Sequence, residues 1–116
     1  MSVIQGSADD IVLYGGASTL WSGTWSSGSI TVPNTDKYRL FQITMSGQGT
    51  TVLAMKNGTY IRGIGGYSSG SSIINYYFSA TISGNTWTFV SCESLNQTSS
   101  NASPTDVAVT SIVGII

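Results

Sequence analysis

The chain has 116 residues, no histidine, a formal net charge of −1 and only 8% charged residues, against about 25% in an average soluble domain. Because histidine and shifted carboxylates carry most acid–base catalysis at neutral pH, this composition argues against an enzyme. Four basic residues are also too few for a cationic surface that binds nucleic acid or anionic lipid headgroups.

The length predicts one domain over residues 1–116, with residues 1–9 as a candidate extended N-terminal arm. Hydrophobic residues make up 41% of the chain and aromatic residues 10%, which favours a folded β-rich protein over a disordered one. No apolar run is long enough for a membrane helix, and no secretory signal is expected. Cys92 has no second cysteine to pair with and is predicted to be a small buried apolar group.

In chain order, β-branched and aromatic residues form short runs between Gly, Asn, Ser and Pro, and no stretch is convincingly helical. This pattern predicts an all-β fold, an antiparallel, jelly-roll-like β-sandwich of about eight strands with no significant helix. The predicted strands are Ile11–Tyr14, Ser29–Val32, Tyr38–Met45, Thr51–Lys56, Thr59–Gly65, Ile73–Ser83, Thr86–Leu95 and Val107–Ile116. Three segments are predicted as loops by composition: Gly15–Gly28, Gly65–Ser72 and Asn96–Asp106.

Two hairpins are marked by their turn residues. Asn57-Gly58 and Gly84-Asn85 both suit tight two-residue turns, since these residues accept a positive φ. The second turn predicts that Ile82 faces Trp87, Ala80 faces Phe89 and Phe78 faces Ser91. The predicted core face then holds Ile74, Tyr76, Phe78, Ala80, Ile82, Trp87, Phe89 and Leu95, and the wetter face holds Asn75, Tyr77, Ser79, Thr81, Ser83, Thr86, Thr88, Val90 and Cys92.

Two predicted strands are apolar on both faces. Tyr38–Met45 is therefore expected to be central in its sheet. The tail must either be an inner strand or lie in a contact between subunits, since an exposed apolar edge strand invites pairing. The tentative interface residues are Ile112, Val113, Ile115 and Ile116.

A candidate ligand site centres on Tyr67, an aromatic residue surrounded by Ser and Gly as in antibody loops. Its predicted members are Tyr67, Ser68, Ser69, Asn75 and Tyr77. The competing interpretations are a Tyr67 ring that covers the rim of the fold, and an ordinary solvated face or a subunit contact around Asn75 and Tyr77. Trp21 and Trp25 are expected to be buried, although exposed rings there would stack on sugars. No catalytic group, metal site or cofactor is predicted.

The runs Leu20-Trp21-Ser22-Gly23-Thr24-Trp25, Gly28-Ser29-Ile30-Thr31-Val32 and Tyr38-Arg39-Leu40-Phe41, with the ending Ile112-Val113-Gly114-Ile115, carry a resemblance. The chain resembles the C-terminal β-sandwich domains of phage tail-fibre, baseplate and head-fibre proteins. The likeness covers the first third and the last strand. It departs from the family around Ser111, where members often have a basic residue.

This resemblance implies a virion structural domain on the phage particle surface, which assembles as a homo-oligomer, with a trimer favoured, and recognises a bacterial surface polysaccharide. Two alternatives remain open at this point. One is a monomeric carbohydrate-binding module or lectin. The other is a ligand-free capsid-decorating or fibre-stabilising module.

Overall fold

The structure, a computed structural model, describes residues 17–46, 50–97 and 104–115. These residues form nine strands, and among them the one helical element is a 3₁₀ turn at Thr35–Lys37. The predicted all-β class is therefore confirmed. No helix in the described part of the chain is long and apolar enough to cross a membrane. In chain order the strands are β1 Ala17–Trp25, β2 Ser29–Thr31, β3 Leu40–Met45, β4 Thr51–Asn57, β5 Tyr60–Ser69, β6 Ser72–Ser83, β7 Thr86–Asn96, β8 Thr105–Asp106 and β9 Val109–Ile115.

All nine strands hydrogen-bond into one sheet, in which the order along the main path is β1-β9-β3-β4-β5-β6-β7-β2 and β8 also pairs with β7. Every pairing is antiparallel. Five consecutive strands, β3 to β7, form a meander, and β9 lies between β3 and β1. The described strands thus form one continuous sheet, where the sequence led us to expect the two separate sheets of a sandwich.

The chain connection between β1 and β2 shows that this sheet is strongly curled. These two strands lie at opposite ends of the sheet, yet only residues 26–28 join Trp25 to Ser29. Such a connection spans at most about 14 Å, whereas the outer strands of a flat eight-strand path would lie about 33 Å apart. The curl therefore brings β1 and β2 together at this end and turns one face of the sheet inward.

The inward face carries an aromatic core that joins the two halves of the sheet. The Trp25 ring on β1 lies 5.3 Å from that of Phe89 and 6.0 Å from that of Phe78, between ring centroids. The Phe41 and Trp87 rings lie 5.0 Å apart in an edge-to-face arrangement, a geometry that aromatic pairs prefer. The buried apolar residues are Trp25, Val32, Phe41, Ile43, Met45, Val52, Ala54, Ile61, Tyr76, Phe78, Ala80, Trp87, Cys92, Val109 and Ile112.

Both predicted hairpins exist, with one displaced by a residue. Asn57 pairs with Tyr60, so the loop residues of the first hairpin are Gly58 and Thr59 rather than Asn57 and Gly58. The second loop is Gly84-Asn85, as predicted. In each hairpin the positive φ falls on the glycine, the first loop residue. This placement is typical of a type II′ turn.

The predicted register of the β6–β7 hairpin is right near the turn and wrong beyond a bulge. Ile82 pairs with Trp87 and Ala80 with Phe89, as predicted, but Phe78 pairs with Cys92 instead of Ser91. The register shifts because Val90 is an extra residue in β7, which leaves two residues opposite one on β6. Beyond the bulge the faces of β7 exchange: Cys92 lies in the core, and Leu95 pairs with Asn75 on the outer face.

Two segments predicted as loops are strands. Residues 17–25 form β1, and residues 65–72 form the end of the β5–β6 hairpin around Gly70, whose φ is +59°. Their high Gly and Ser content is typical of loops, so the sequence pattern did not indicate strands. Backbone pairing in a sheet does not require apolar side chains. The predicted strand Ile11–Tyr14 and the candidate arm at residues 1–9 lie outside the described residues.

Candidate functional site: the outer face of the sheet

The residues predicted to bind a ligand fall on the β5–β6 hairpin. Asn75 and Tyr77 are half-buried on the outer face, where they pair with Gly66 and Ile64. Ser68 is exposed and pairs with Ile73, two residues before Asn75. The structure therefore brings Ser68, Asn75 and Tyr77 together along the outer surface of one hairpin.

Tyr67 and Ser69 occupy ladder positions opposite Ile74 and Ser72, and their side chains are not among those described. The neighbouring Gly66 has a specific role, since a β-carbon there would overlap the carbonyl oxygen of Ile74 and come within 2.9 Å of the Asn75 side-chain oxygen. A side chain at position 66 would therefore displace Asn75 from the position that it occupies in the structure.

A further feature of the outer face, an exposed apolar surface, was not predicted from the sequence. Two adjacent rows of paired residues cross it: Val113–Gln42–Leu53–Ile64–Tyr77 and Ile115–Leu40–Met55–Arg62. Leu53, Met55 and Ile64 are 55%, 56% and 65% exposed. We call the six aliphatic members of these rows the outer band: Leu40, Leu53, Met55, Ile64, Val113 and Ile115.

Arg62 lies beside the outer band. It is exposed and pairs with Met55 on one side and Ser79 on the other. Its guanidinium carbon lies 4.2 Å above the centroid of the Tyr60 ring, within the range of a cation–π interaction. A groove of about 520 Å³ runs past Arg62 between Leu53, Ile64 and Tyr77. The outer band thus has a positive charge, that of Arg62, at its margin.

The tentative interface residues of the tail divide between the two faces. Ile112 is fully buried in the core of its own chain, so it offers no surface to a partner. Val113 and Ile115 are half-buried and belong to the outer band, and Ile116 lies outside the described residues. Because β9 lies between β1 and β3, the tail is an inner strand of the sheet.

A second outer-face feature is a pair of carboxylates, which we call the acidic corner. Glu93 pairs with Tyr77 on one side and with Asp106 on the other, so the two acids lie directly opposite each other on β7 and β8. Residues that oppose each other share a face of the sheet, and like charges in that position are destabilising. Both acids border a cleft of about 690 Å³, which also contains the bulge residue Val90, itself 53% exposed.

The remaining candidates belong to the core. Trp25 is 2% exposed and Trp87 is fully buried, while Trp21 is half-buried with its ring 6.3 Å from that of Trp25. Burial raises the pKa of the Cys92 thiol to about 12, with a smaller contribution from the charge of Glu93. A thiol with that pKa stays protonated at neutral pH and is a poor nucleophile. Within residues 17–46, 50–97 and 104–115, no three His, Cys, Asp or Glu side chains gather as metal ligands would.

Comparison of the chain with models of known protein families, with characterised proteins and with solved structures finds no significant match.

Proposed function

We propose that this chain is a non-enzymatic structural domain of a phage virion, which assembles with copies of itself, as a trimer, through the outer band. The observation that carries the assembly is the exposure of Leu53, Met55 and Ile64 side by side on strands β4 and β5. A monomeric protein rarely leaves a contiguous apolar patch of this kind facing water, and such patches commonly mark interaction sites. The virion setting is supported by the resemblance to phage fibre and baseplate domains.

The energetics favour an assembly held mainly by apolar contact. Covering an aliphatic side chain that is more than half exposed contributes about 1–2 kcal/mol, so three such residues in each copy form a substantial part of a stable interface. A net charge of −1 also adds little repulsion between copies. The half-buried Val113 and Ile115 extend the patch onto the tail, for which the sequence predicts either an inner strand or a subunit contact.

The experiment is a measurement of mass in solution by light scattering at micromolar concentration. We expect three chains for the natural sequence and one chain for the double variant Leu53→Glu/Ile64→Lys, which leaves the net charge unchanged. The matched control is Ser29→Glu/Thr88→Lys, which places the same two charges on an exposed pair whose hydroxyl oxygens lie 2.9 Å apart, on β2 and β7. The control should retain three chains. A natural sequence that is a single chain at this concentration contradicts the proposal.

Recognition of a bacterial surface polysaccharide is a second part of the proposal. It is supported by the resemblance and by the alignment of Ser68, Asn75 and Tyr77, whose hydroxyl and amide groups suit sugar hydroxyls. A glycan array should give binding that Asn75→Ala removes and that the Ser29→Glu/Thr88→Lys control retains. A stable trimer with no binding on the array would instead favour the ligand-free architectural module. A glycan-binding monomer would favour the lectin.

A further inference from the structure

A trimer built from one kind of chain has a geometric consequence. In a ring with an odd number of copies, each interface joins two different surfaces of the chain, because a two-fold contact of one patch with itself closes a dimer. Equivalent apolar residues can pack together around the three-fold axis, whereas residues at the margin of the outer band, away from the axis, must meet a different surface of the neighbouring copy. This inference rests on the trimer of the proposed function.

The acidic corner is a suitable counterpart on the same outer face. It lies on β7 and β8, beyond β6, whereas the outer band and Arg62 lie on β9, β3, β4 and β5. The bulge residue Val90 stands exposed three positions before Glu93 and supplies an apolar side chain of its own. One surface is therefore apolar with a positive margin, and the other is acidic with an apolar neighbour.

The charges of the acidic corner are not balanced by their own strands. Strands β6, β7 and β8 contain no basic residue, and in the ladder the nearest basic position is Arg62 on β5. Lys56 is engaged elsewhere, since its ammonium donates to the carbonyl oxygen of Thr35 at 3.0 Å. Glu93 and Asp106 thus oppose each other at a cost that a cation from outside their strands would offset.

We propose that Arg62 of one copy forms an ion pair with Glu93 and Asp106 of the neighbouring copy. A guanidinium presents several donors in one plane and can serve two carboxylates at once, which a single ammonium does less well. The cation–π contact with Tyr60 holds the guanidinium in place before the partner arrives. The apolar contact supplies most of the affinity, and this ion pair selects which surface of the neighbour meets the outer band.

Charge reversal tests the pairing. Arg62→Glu places three acids against one another and should raise the dissociation constant of the trimer by more than about tenfold, because like charges across an interface cost several kcal/mol. Glu93→Arg should weaken the trimer similarly. The double variant Arg62→Glu/Glu93→Arg should recover most of the affinity. The control Lys37→Glu makes the same charge change in the exposed 3₁₀ turn and should leave the trimer intact.

Mixing the two single variants tests the ring. In a ring of three, a mixture of Arg62→Glu and Glu93→Arg chains has at most two matched contacts and at least one contact between identical, mismatched chains. We therefore expect the mixture to recover less affinity than the double variant, in which all three contacts match. A closed one-to-one complex from the mixture that is as tight as the assembly of the double variant would mean that the contact is two-fold, and would overturn the inference. Urea unfolding of each variant at low concentration checks that the single chains remain folded.

The failure of this inference is distinguishable from failure of the proposed function. If Leu53→Glu/Ile64→Lys dissociates the trimer while Arg62→Glu and Glu93→Arg do not, the outer band is the interface and the ion pair is refuted. If the double reversal is no tighter than either single reversal, the pairing of these residues is also refuted. If the natural chain is monomeric, both proposals fall.

Discussion

Strands β3 to β5 carry apolar side chains on both the inner and the outer face of the sheet, but the two faces differ in how deeply these side chains are buried. On the inner face Val52 and Ala54 are buried completely or nearly so, whereas on the outer face Leu53 and Met55, which alternate with them along β4, are more than half exposed. Alternation along a strand normally separates apolar from polar side chains. Here it separates two apolar sets, of which only the inner one is buried within the described residues.

This difference shows what a curled sheet can and cannot bury. Curling brings β1 to β7 across the inner face, so that Trp25 meets Phe78 and Phe89 and the aromatic core closes. The same curl turns the outer face away from every other strand of the described fold. Leu53, Met55 and Ile64 there stay more than half exposed after folding. They can be covered further only by another segment or another molecule, and we therefore propose that the outer band serves assembly.

The largest effect on folding is expected at Trp87, the largest fully buried side chain. Trp87→Ala removes ring contacts with Trp25, Phe41 and Phe78 and should lower the free energy of unfolding by about 3–5 kcal/mol, as for other aromatic truncations in cores. Urea denaturation followed by circular dichroism measures the loss. The half-buried Trp21 is the control, since Trp21→Ala should cost clearly less; equal losses would mean that the core is not centred on Trp87.

A smaller effect is expected at Thr35, a polar residue that is only 1% exposed and lies at the edge of the Trp87 indole. Its hydroxyl accepts from the Trp87 indole N–H at 2.9 Å and donates to the carbonyl oxygen of Val32 at 2.6 Å. Thr35→Val leaves the indole N–H without its acceptor and should cost about 1–3 kcal/mol in the free energy of unfolding. Thr35→Ser keeps the hydroxyl and should cost less; a serine variant as unstable as the valine variant would contradict this account.

Local signals predicted much of this fold. The Gly84-Asn85 turn fixes its own hairpin, because a two-residue loop leaves one register for the residues beside it, and Ile82 and Ala80 are paired as expected. The bulge at Val90 could not be read from the sequence, since Thr-Phe-Val-Ser-Cys alternates acceptably with or without an extra residue. A single inserted position then exchanges the faces of Cys92 and Leu95.

The outer face was harder to predict for the same reason. Apolar residues on both sides of β3 and of the tail are visible in the sequence and indicate inner strands, a position that β3 and β9 do occupy. The patch continues through Leu53, Met55 and Ile64 because β4 pairs with β3 and β5. Local sequence patterns do not specify this pairing. The acidic corner depends on the bulge and on the pairing of β7 with β8, which places Glu93 opposite Asp106, a residue 13 positions later in the chain.

The smallest effect on folding is expected for a valine-to-threonine substitution at the exposed position Val90, compared with the same substitution at the buried position Val52. Val52 is 2% exposed on the inner face and Val90 is 53% exposed at the bulge. Val52→Thr buries a hydroxyl group and should cost about 1–3 kcal/mol in the free energy of unfolding, whereas Val90→Thr should change it by less than about 0.5 kcal/mol, as is usual for surface positions. Both are measured by urea denaturation in the Leu53→Glu/Ile64→Lys background, so that assembly does not contribute. A cost at Val90 equal to that at Val52 would mean that the chain itself covers its outer face, and the distinction between the two faces would then fail.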